Sequence, residues 1–184
     1  MNIFIGCSAR DNIDNIHKQS SQNLIKKITK IDNIDLVFGA YYKGIMAICY
    51  DEFKNNDRKV IGVTPKVYEN DLELMNCNEI ITTDTTMERF NEIYKRSDIF
   101  LFLPGGIGTL SEIFNAIEEN IANKGNKLII IYNKNFFYTP IIRTLHKMYE
   151  EGFVDKELSN YIVIESEEDK IIELIEKEKN KNGK

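Results

Sequence analysis

Basic charge, histidine and paired cysteine are all scarce in this 184-residue chain. Its 24 lysines and arginines are outnumbered by 29 aspartates and glutamates, leaving a formal charge of −5. Sequence-independent attraction to nucleic acid or anionic lipid needs a basic surface, so no nucleic-acid partner and no membrane partner are expected. The two histidines, His17 and His146, lie far apart, which leaves little material for a metal cluster or a histidine-centred triad. Cys7, Cys49 and Cys77 are widely spaced and never form a C-x-x-C pair. That pattern is neither a disulfide framework nor a zinc site, and it suits a reducing compartment. No run approaches 18 apolar residues, and no basic segment precedes a long apolar one at the start, so neither a membrane span nor a signal peptide is expected. The sequence reads as a cytoplasmic protein without a metal site.

Repeats and linkers are missing as well. No period recurs and no Pro/Gly/Ser-rich stretch divides the chain, which predicts one domain over residues 1–178 with a polar, frayed tail at 179–184. Hydrophobic residues make up 42% and charged residues 29%, ordinary for a globular protein and too apolar for a disordered one. A chain of this length buries about two-thirds of its extended surface and needs no covalent staple.

What is present is an alternation of short apolar runs with longer amphipathic stretches. Ile3-Phe4-Ile5, Leu36-Val37-Phe38, Val60-Ile61-Gly62-Val63, Glu79 to Thr82, Ile99 to Leu103, Leu128 to Tyr132 and Tyr161 to Ile164 read as strands. Helical spacing marks residues 15–31, 44–53, 110–122 and 167–178, and Pro140 fits the first turn of another helix that Gly152 stops. Thr85-x-x-Glu88 is a capping box opening a helix that runs to Arg96. Lys66 to Asn78 has no period and reads as an irregular loop with a helical turn. Strands apolar on both faces, alternating with helices, predict a single doubly wound, Rossmann-like α/β domain, a central parallel sheet with helices on both faces. Ligands of such sheets bind beyond the carboxyl ends of the strands.

The most apolar strand ends at Leu103-Pro104-Gly105-Gly106-Ile107-Gly108-Thr109-Leu110-Ser111-Glu112. Glycines there let a backbone approach an anion, and the helix that follows adds unpaired N–H groups and the positive end of its dipole. A phosphate fits this pattern. The local pattern equally fits a tight turn with Thr109 as N-cap and Glu112 as its capping-box partner. The Gly-Lys-Ser/Thr ending of a P-loop is missing, and no G-x-G-x-x-G opens the first strand–helix turn, so ATPase and ordinary NAD-dehydrogenase readings drop.

Pro104-Gly105-Gly106-Ile107-Gly108-Thr109-x-x-Glu112 resembles the P-G-G-x-G-T-x-x-E motif of the Lonely Guy (LOG) family, cytokinin riboside 5′-monophosphate phosphoribohydrolases formerly labelled lysine decarboxylases. Thr86-Met87-Glu88-Arg89 is similar to the family's M-x-x-R-K segment, with Phe90 in place of the lysine. Phe4-Ile5-Gly6-Cys7-Ser8 resembles its F-C-G-S-S start. Phe38-Gly39-Ala40-Tyr41-Tyr42-Lys43-Gly44-Ile45-Met46 resembles its Y-G-G-G-x-x-G-L-M, with Ala40 and Tyr41 replacing two glycines and narrowing that loop. Glu150-Glu151-Gly152-Phe153 matches a late E-E-G-F element, so the resemblance spans Ile3 to Val154.

The resemblance implies hydrolysis of the N-glycosidic bond of a nucleoside 5′-monophosphate substrate, AMP or an N6-substituted relative, to free base and ribose 5-phosphate. It implies no cofactor and a homodimer. Glu112 would face the anomeric carbon. Gly105, Gly106, Gly108 and Thr109 would hold the phosphate, and Arg89 would contact phosphate or orient Glu112. Ser8 and Gly44 would line the nucleotide site from neighbouring strand ends. A non-catalytic nucleotide or molybdenum-cofactor carrier on the same fold is the alternative. Lysine decarboxylation needs a pyridoxal phosphate Schiff-base lysine, and nothing in the sequence marks one.

Overall fold

The computed structural model describes residues 1–68, 72, 75–122 and 127–182. Seven strands form one all-parallel sheet: β1 (Asn2–Gly6), β2 (Asp35–Phe38), β3 (Val60–Pro65), β4 (Glu79–Thr83), β5 (Ile99–Phe102), β6 (Leu128–Tyr132) and β7 (Val163–Glu165). Their order is β4-β3-β2-β1-β5-β6-β7. Among the described residues six α-helices flank the sheet, the last of them following β7: α1 (Asn15–Ile28), α2 (Gly44–Asn55), α3 (Thr86–Arg96), α4 (Ile107–Ala122), α5 (Thr139–Glu150) and α6 (Glu168–Asn182). The doubly wound expectation holds. Strand order reverses between β1 and β5, which makes their carboxyl ends the natural crevice.

Side-chain alternation builds a core on each face. Ile3, Ile5, Leu36, Phe38, Leu101 and Tyr132 point to one face and meet Leu24, Ile25 and Ile28 of α1, Cys49 and Phe53 of α2, and Ile171 and Ile175 of α6. Phe4, Val37, Phe100, Phe102, Ile129 and Ile131 point to the other, against Phe90 and Ile93 of α3, Ile113 and Ala116 of α4, and Tyr138 ahead of α5. Five aromatic rings gather there. Phe4, Phe90, Tyr94 and Phe102 each lie with ring centroids 5.5–6.5 Å from Phe100. Phe90, the residue in the family's lysine position, is therefore core.

Three boundaries differ from the sequence expectation by three residues or more. The tail expected to fray is helical through Asn182: its lysines are good helix formers, and Lys181 reaches back one turn to pair with Glu178 at 2.7 Å; residues 183 and 184 lie outside the described residues. Helix α4 begins at Ile107, three residues before the apolar period becomes visible, since the Gly106 carbonyl accepts its first helical bond from the Leu110 N–H. Helix α1 stops at Ile28, three residues early, as Thr29 to Ile31 turn tightly into the loop. Thr85 caps α3 as expected, its Oγ1 accepting from the Glu88 N–H at 3.1 Å, while Glu88 Oε2 reaches one residue further back and accepts from the Asp84 N–H at 3.0 Å. In the loop expected from Lys66 to Asn78, residues 66–68 make one 3-10 turn, and 69–71, 73 and 74 lie outside the described residues.

Phe100 sits at the centre of the ring cluster and is fully buried. Phe100→Ala should lower unfolding free energy by about 3–5 kcal/mol, read as an earlier urea midpoint at unchanged slope. A loss under about 1 kcal/mol would mean that the cluster contributes little to that face.

Candidate active site

Two helices on the same face of the sheet send side chains over the strand ends. Arg89, one turn into α3, donates from Nε to the Val63 carbonyl at the end of β3 at 3.0 Å. Its Nη1 meets Glu112 Oε1 of α4 at 2.7 Å. Both side chains are largely out of water, at 15% and 8% exposure. The ion pair thus ties α3 to α4 across the crevice. A charge-assisted bond of this length, in a low-dielectric setting, fixes both groups in one geometry.

Two glycines make that geometry fit. A Cβ on Gly39, just past β2, would stand 2.6 Å from Arg89 Nη2 and 3.1 Å from Met46 Cε. A Cβ on Gly6, at the end of β1, would stand 2.6 Å from the Phe102 ring and 3.0 Å from Glu112 Oε2. In the sequence both glycines mark only the stops of their strands; the room they leave for the ion pair is visible only in the fold. Their signal is positional, since each ends a strand.

The pair lies in the wall of a cavity of about 610 Å³. One side is Gly106, Ile107, Gly108 and Thr109 in the first turn of α4; the other is Cys7, Ser8, Ala9 and Arg10 after β1. Gly39, Tyr41, Met46, Pro65, Tyr68 and Thr86 close it, giving a mainly apolar, partly aromatic end opposite the helix terminus. Gly106 and Gly108 have open space where a Cβ would be. The first amides of an α-helix have no carbonyl partner within it, so this turn offers N–H donors to an anion.

Of the expected site residues, Arg89, Glu112, Gly106, Gly108, Thr109 and Ser8 are brought together around this cavity. Gly105 and Gly44 are not among its lining. Gly105 packs against Thr109, whose Oγ1 a Cβ there would strike. Gly44 is a buried anchor at the start of α2: its N–H donates to Asp11 Oδ1 at 2.9 Å, its φ is +58°, and the Arg10 and Ser8 backbones crowd it. Thr109 lies inside α4, so the N-cap alternative fails; Glu112, its supposed capping partner, faces Arg89 instead. Ala40 does not narrow the cavity. It is fully buried at φ +54° with its methyl in the core, and Tyr41 alone of the two replacements faces the opening. Cys7 is buried beside Cys49, their sulfurs 4.0 Å apart. Burial first, and Cys49 next, push its thiol well above the usual range, so it is a packing residue and not a thiolate nucleophile.

Fold and site together define a Rossmann-like α/β protein with a crevice at its switch point, lined by an open helix terminus and by a held carboxylate further along the same helix. Residues 46–175 match the protein family described as "Possible lysine decarboxylase". Arabidopsis thaliana cytokinin riboside 5′-monophosphate phosphoribohydrolase LOG1 is 30% identical over 162 residues, 88% of this chain and 75% of that one. A probable enzyme of the same name from Oryza sativa, LOGL2, is 28% identical over 175 residues, covering 95% and 71% of the two chains. The chain belongs to this LOG family. In solved structures, the molybdenum cofactor binding protein of Rippkaea orientalis is similar in fold, with a TM-score of 0.70 at 20% identity over 96% of this chain and 95% of that one. The Chlamydomonas reinhardtii Moco carrier protein has a TM-score of 0.68 at 15% identity, covering 98% of each chain.

Gly39→Ala should force the Arg89 guanidinium off its seat and leave Glu112 buried without its partner. Breaking such a pair costs about 3 kcal/mol, so a lower melting temperature and a widened Arg89–Glu112 separation in a crystal structure are expected. An intact pair at wild-type stability would contradict the role given to Gly39.

Proposed function

We infer that this protein is a phosphoribohydrolase that cleaves the N-glycosidic bond of a nucleoside 5′-monophosphate, AMP or an N6-substituted AMP of the cytokinin type, to free base and ribose 5-phosphate. The observation that carries the reading is the Arg89–Glu112 ion pair facing the same cavity as the open Gly106–Thr109 turn. The 5′-phosphate sits on the amides of that turn and the Thr109 hydroxyl, with Gly105 giving the turn its packing. The base lies toward Tyr41, Met46, Pro65 and Tyr68, where an aromatic ring finds apolar and stacking partners.

Breaking the bond builds positive charge on the ribose as an oxocarbenium-like species. Glu112 stabilises that charge and takes a proton from the attacking water. The leaving base carries away the bonding electron pair and is protonated as it departs. Arg89 does not take part in proton transfer; tied to Val63 O, it holds the carboxylate toward the sugar. Phosphate anchoring at a distance from the reacting carbon turns binding energy into orientation. Ser8 adds a wall whose backbone is pinned, its N–H donating to the Pro104 carbonyl at 3.1 Å.

A homodimer through α4 belongs to the same reading. Ile107, Phe114 and Ile121 recur every seventh residue and are 83%, 42% and 50% exposed, and Met87 of α3 is 60% exposed. Residues seven apart lie on one stripe of a helix, which suits a partner helix. Because Ile107 also lines the cavity, the stripe runs to its mouth. Phe114→Glu should halve the mass seen by sedimentation equilibrium; an unchanged mass would exclude this stripe as the interface.

Incubation with AMP and N6-isopentenyl-AMP, followed by chromatography of the base, tests the activity. Glu112→Gln should lower base release by about a thousandfold or more while the nucleotide still binds. Full activity in that variant would remove Glu112 from the chemistry. A nucleotide bound tightly by the wild type and recovered intact would favour the carrier alternative, which the fold likeness to cofactor-binding proteins keeps in view.

A further inference from the structure

The turn leaving β5 is held by two backbone bonds, Leu103 N–H to the Gly6 carbonyl and Ser8 N–H to the Pro104 carbonyl, and by one buried side-chain hydroxyl. Tyr138 precedes α5 and is 2% exposed. Its Oη donates to the Leu103 carbonyl at 2.7 Å and accepts from the Gly105 N–H. One side chain therefore bridges Pro104, fixing the residue before it and the residue after it. Gly105 is the step just ahead of Gly106, where the cavity lining begins.

Tyr138 is itself held in place. Asn133, one residue past β6, accepts from the Tyr138 N–H through Oδ1 at 2.8 Å and donates from Nδ2 to Thr139 Oγ1 at 3.1 Å. Asn133 in turn donates its N–H to the Glu165 carbonyl at the end of β7 at 2.8 Å. The Phe137 ring packs edge-on against the Tyr138 ring with centroids 4.9 Å apart, and its side chain takes no part in the hydrogen bonds that place the hydroxyl. Burial, with Cys7 and Glu112 adding smaller effects, pushes the phenol far above its ordinary range. The hydroxyl keeps its proton at any working pH and remains a donor.

We propose that Tyr138 is a positioning residue for anion binding, setting the affinity of the Gly106–Thr109 turn for a sugar 5-phosphate without touching the ligand. This rests on the reading of that turn as the phosphate site. Without the hydroxyl, the buried Leu103 carbonyl and the Gly105 N–H both lose this partner, and the turn has to shift to find others. Such a shift moves the donors of Gly106 to Thr109 relative to each other, and an anion site depends on their convergence.

The test is titration calorimetry with ribose 5-phosphate on the wild type, Tyr138→Phe and Phe137→Leu, alongside their thermal melts. Tyr138→Phe keeps the ring and is expected to weaken ribose 5-phosphate about tenfold, the effect of losing one or two buried hydrogen bonds. Phe137→Leu removes the edge-on ring and keeps the hydroxyl; it is expected to lower the melting temperature and leave the affinity unchanged. Asn133→Ser, which frees Tyr138 from its tether, should weaken the ligand in the same direction and supplies the test should Tyr138→Phe fail to fold. Wild-type affinity in folded Tyr138→Phe overturns the proposal, as does equal weakening in Phe137→Leu or a wild type that does not bind ribose 5-phosphate. A wild type that binds ribose 5-phosphate and releases no base from any nucleotide would sink the hydrolase reading while leaving this one standing.

Discussion

The site depends on a buried ion pair that closes the switch point of the sheet. Arg89 and Glu112 come from helices that follow β4 and β5, and they meet above strands β1 and β2 because those strands end in glycine. A buried pair gives modest net stability, since desolvation of both charges offsets much of their attraction. Its value here is positional. The guanidinium is bonded to a strand carbonyl as well as to the carboxylate, so neither group can swing without leaving a charge unpartnered in a dry place. That rigidity makes Glu112 a fixed feature of the cavity wall.

The surroundings of the pair fix where the first turn of α4 lies relative to it. The turn after β5 and the loop after β1 are joined through the Ser8–Pro104 and Leu103–Gly6 backbone bonds, so the two loops flanking the crevice move as one piece. Helix α4 then carries Gly106 to Thr109 and Glu112 on successive turns of one rigid rod. The open helix terminus and the carboxylate are thereby built into a single element; in the proposed reaction this arrangement converts remote phosphate binding into orientation. Tyr41 and Met46 make part of the cavity wall apolar, and Tyr41 occupies what is a glycine position in the family pattern; in the proposed reading the base lies there.

Much of the fold was legible in the sequence because the strands are apolar on both faces and the helices show their period. Val60-Ile61-Gly62-Val63 and Ile99 to Leu103 are too short and too apolar for anything but interior strands of a parallel sheet. The motif after β5 and the Thr85 cap of α3 were legible for the same reason: each is a local pattern with a local cause. The meeting of Arg89 and Glu112 was not legible from spacing, since 23 residues and a strand separate them and only the crossover brings them together. The same holds for Tyr138, whose hydroxyl reaches a carbonyl 35 residues earlier. Thr109 looked like an N-cap because its apolar period starts at Leu110, yet Gly106 opens the helix. The last helix outran expectation because alternating lysines and asparagines show no apolar period and read as a solvated tail, although lysine is a good helix former and Lys181 can pair one turn back.

The central claim is that one carboxylate faces the anomeric carbon of a ribose whose phosphate rests on the first turn of α4. A crystal structure with a bound mononucleotide, determined on the Glu112→Gln variant to prevent turnover, addresses it most directly. The account predicts phosphate density against the amides of Gly106 to Thr109, with the side chain at position 112 in van der Waals reach of the sugar's C1′ and the base beside Tyr41. Phosphate density at another loop, or a ribose turned so that C1′ lies on the far side of the cavity from position 112, would contradict it.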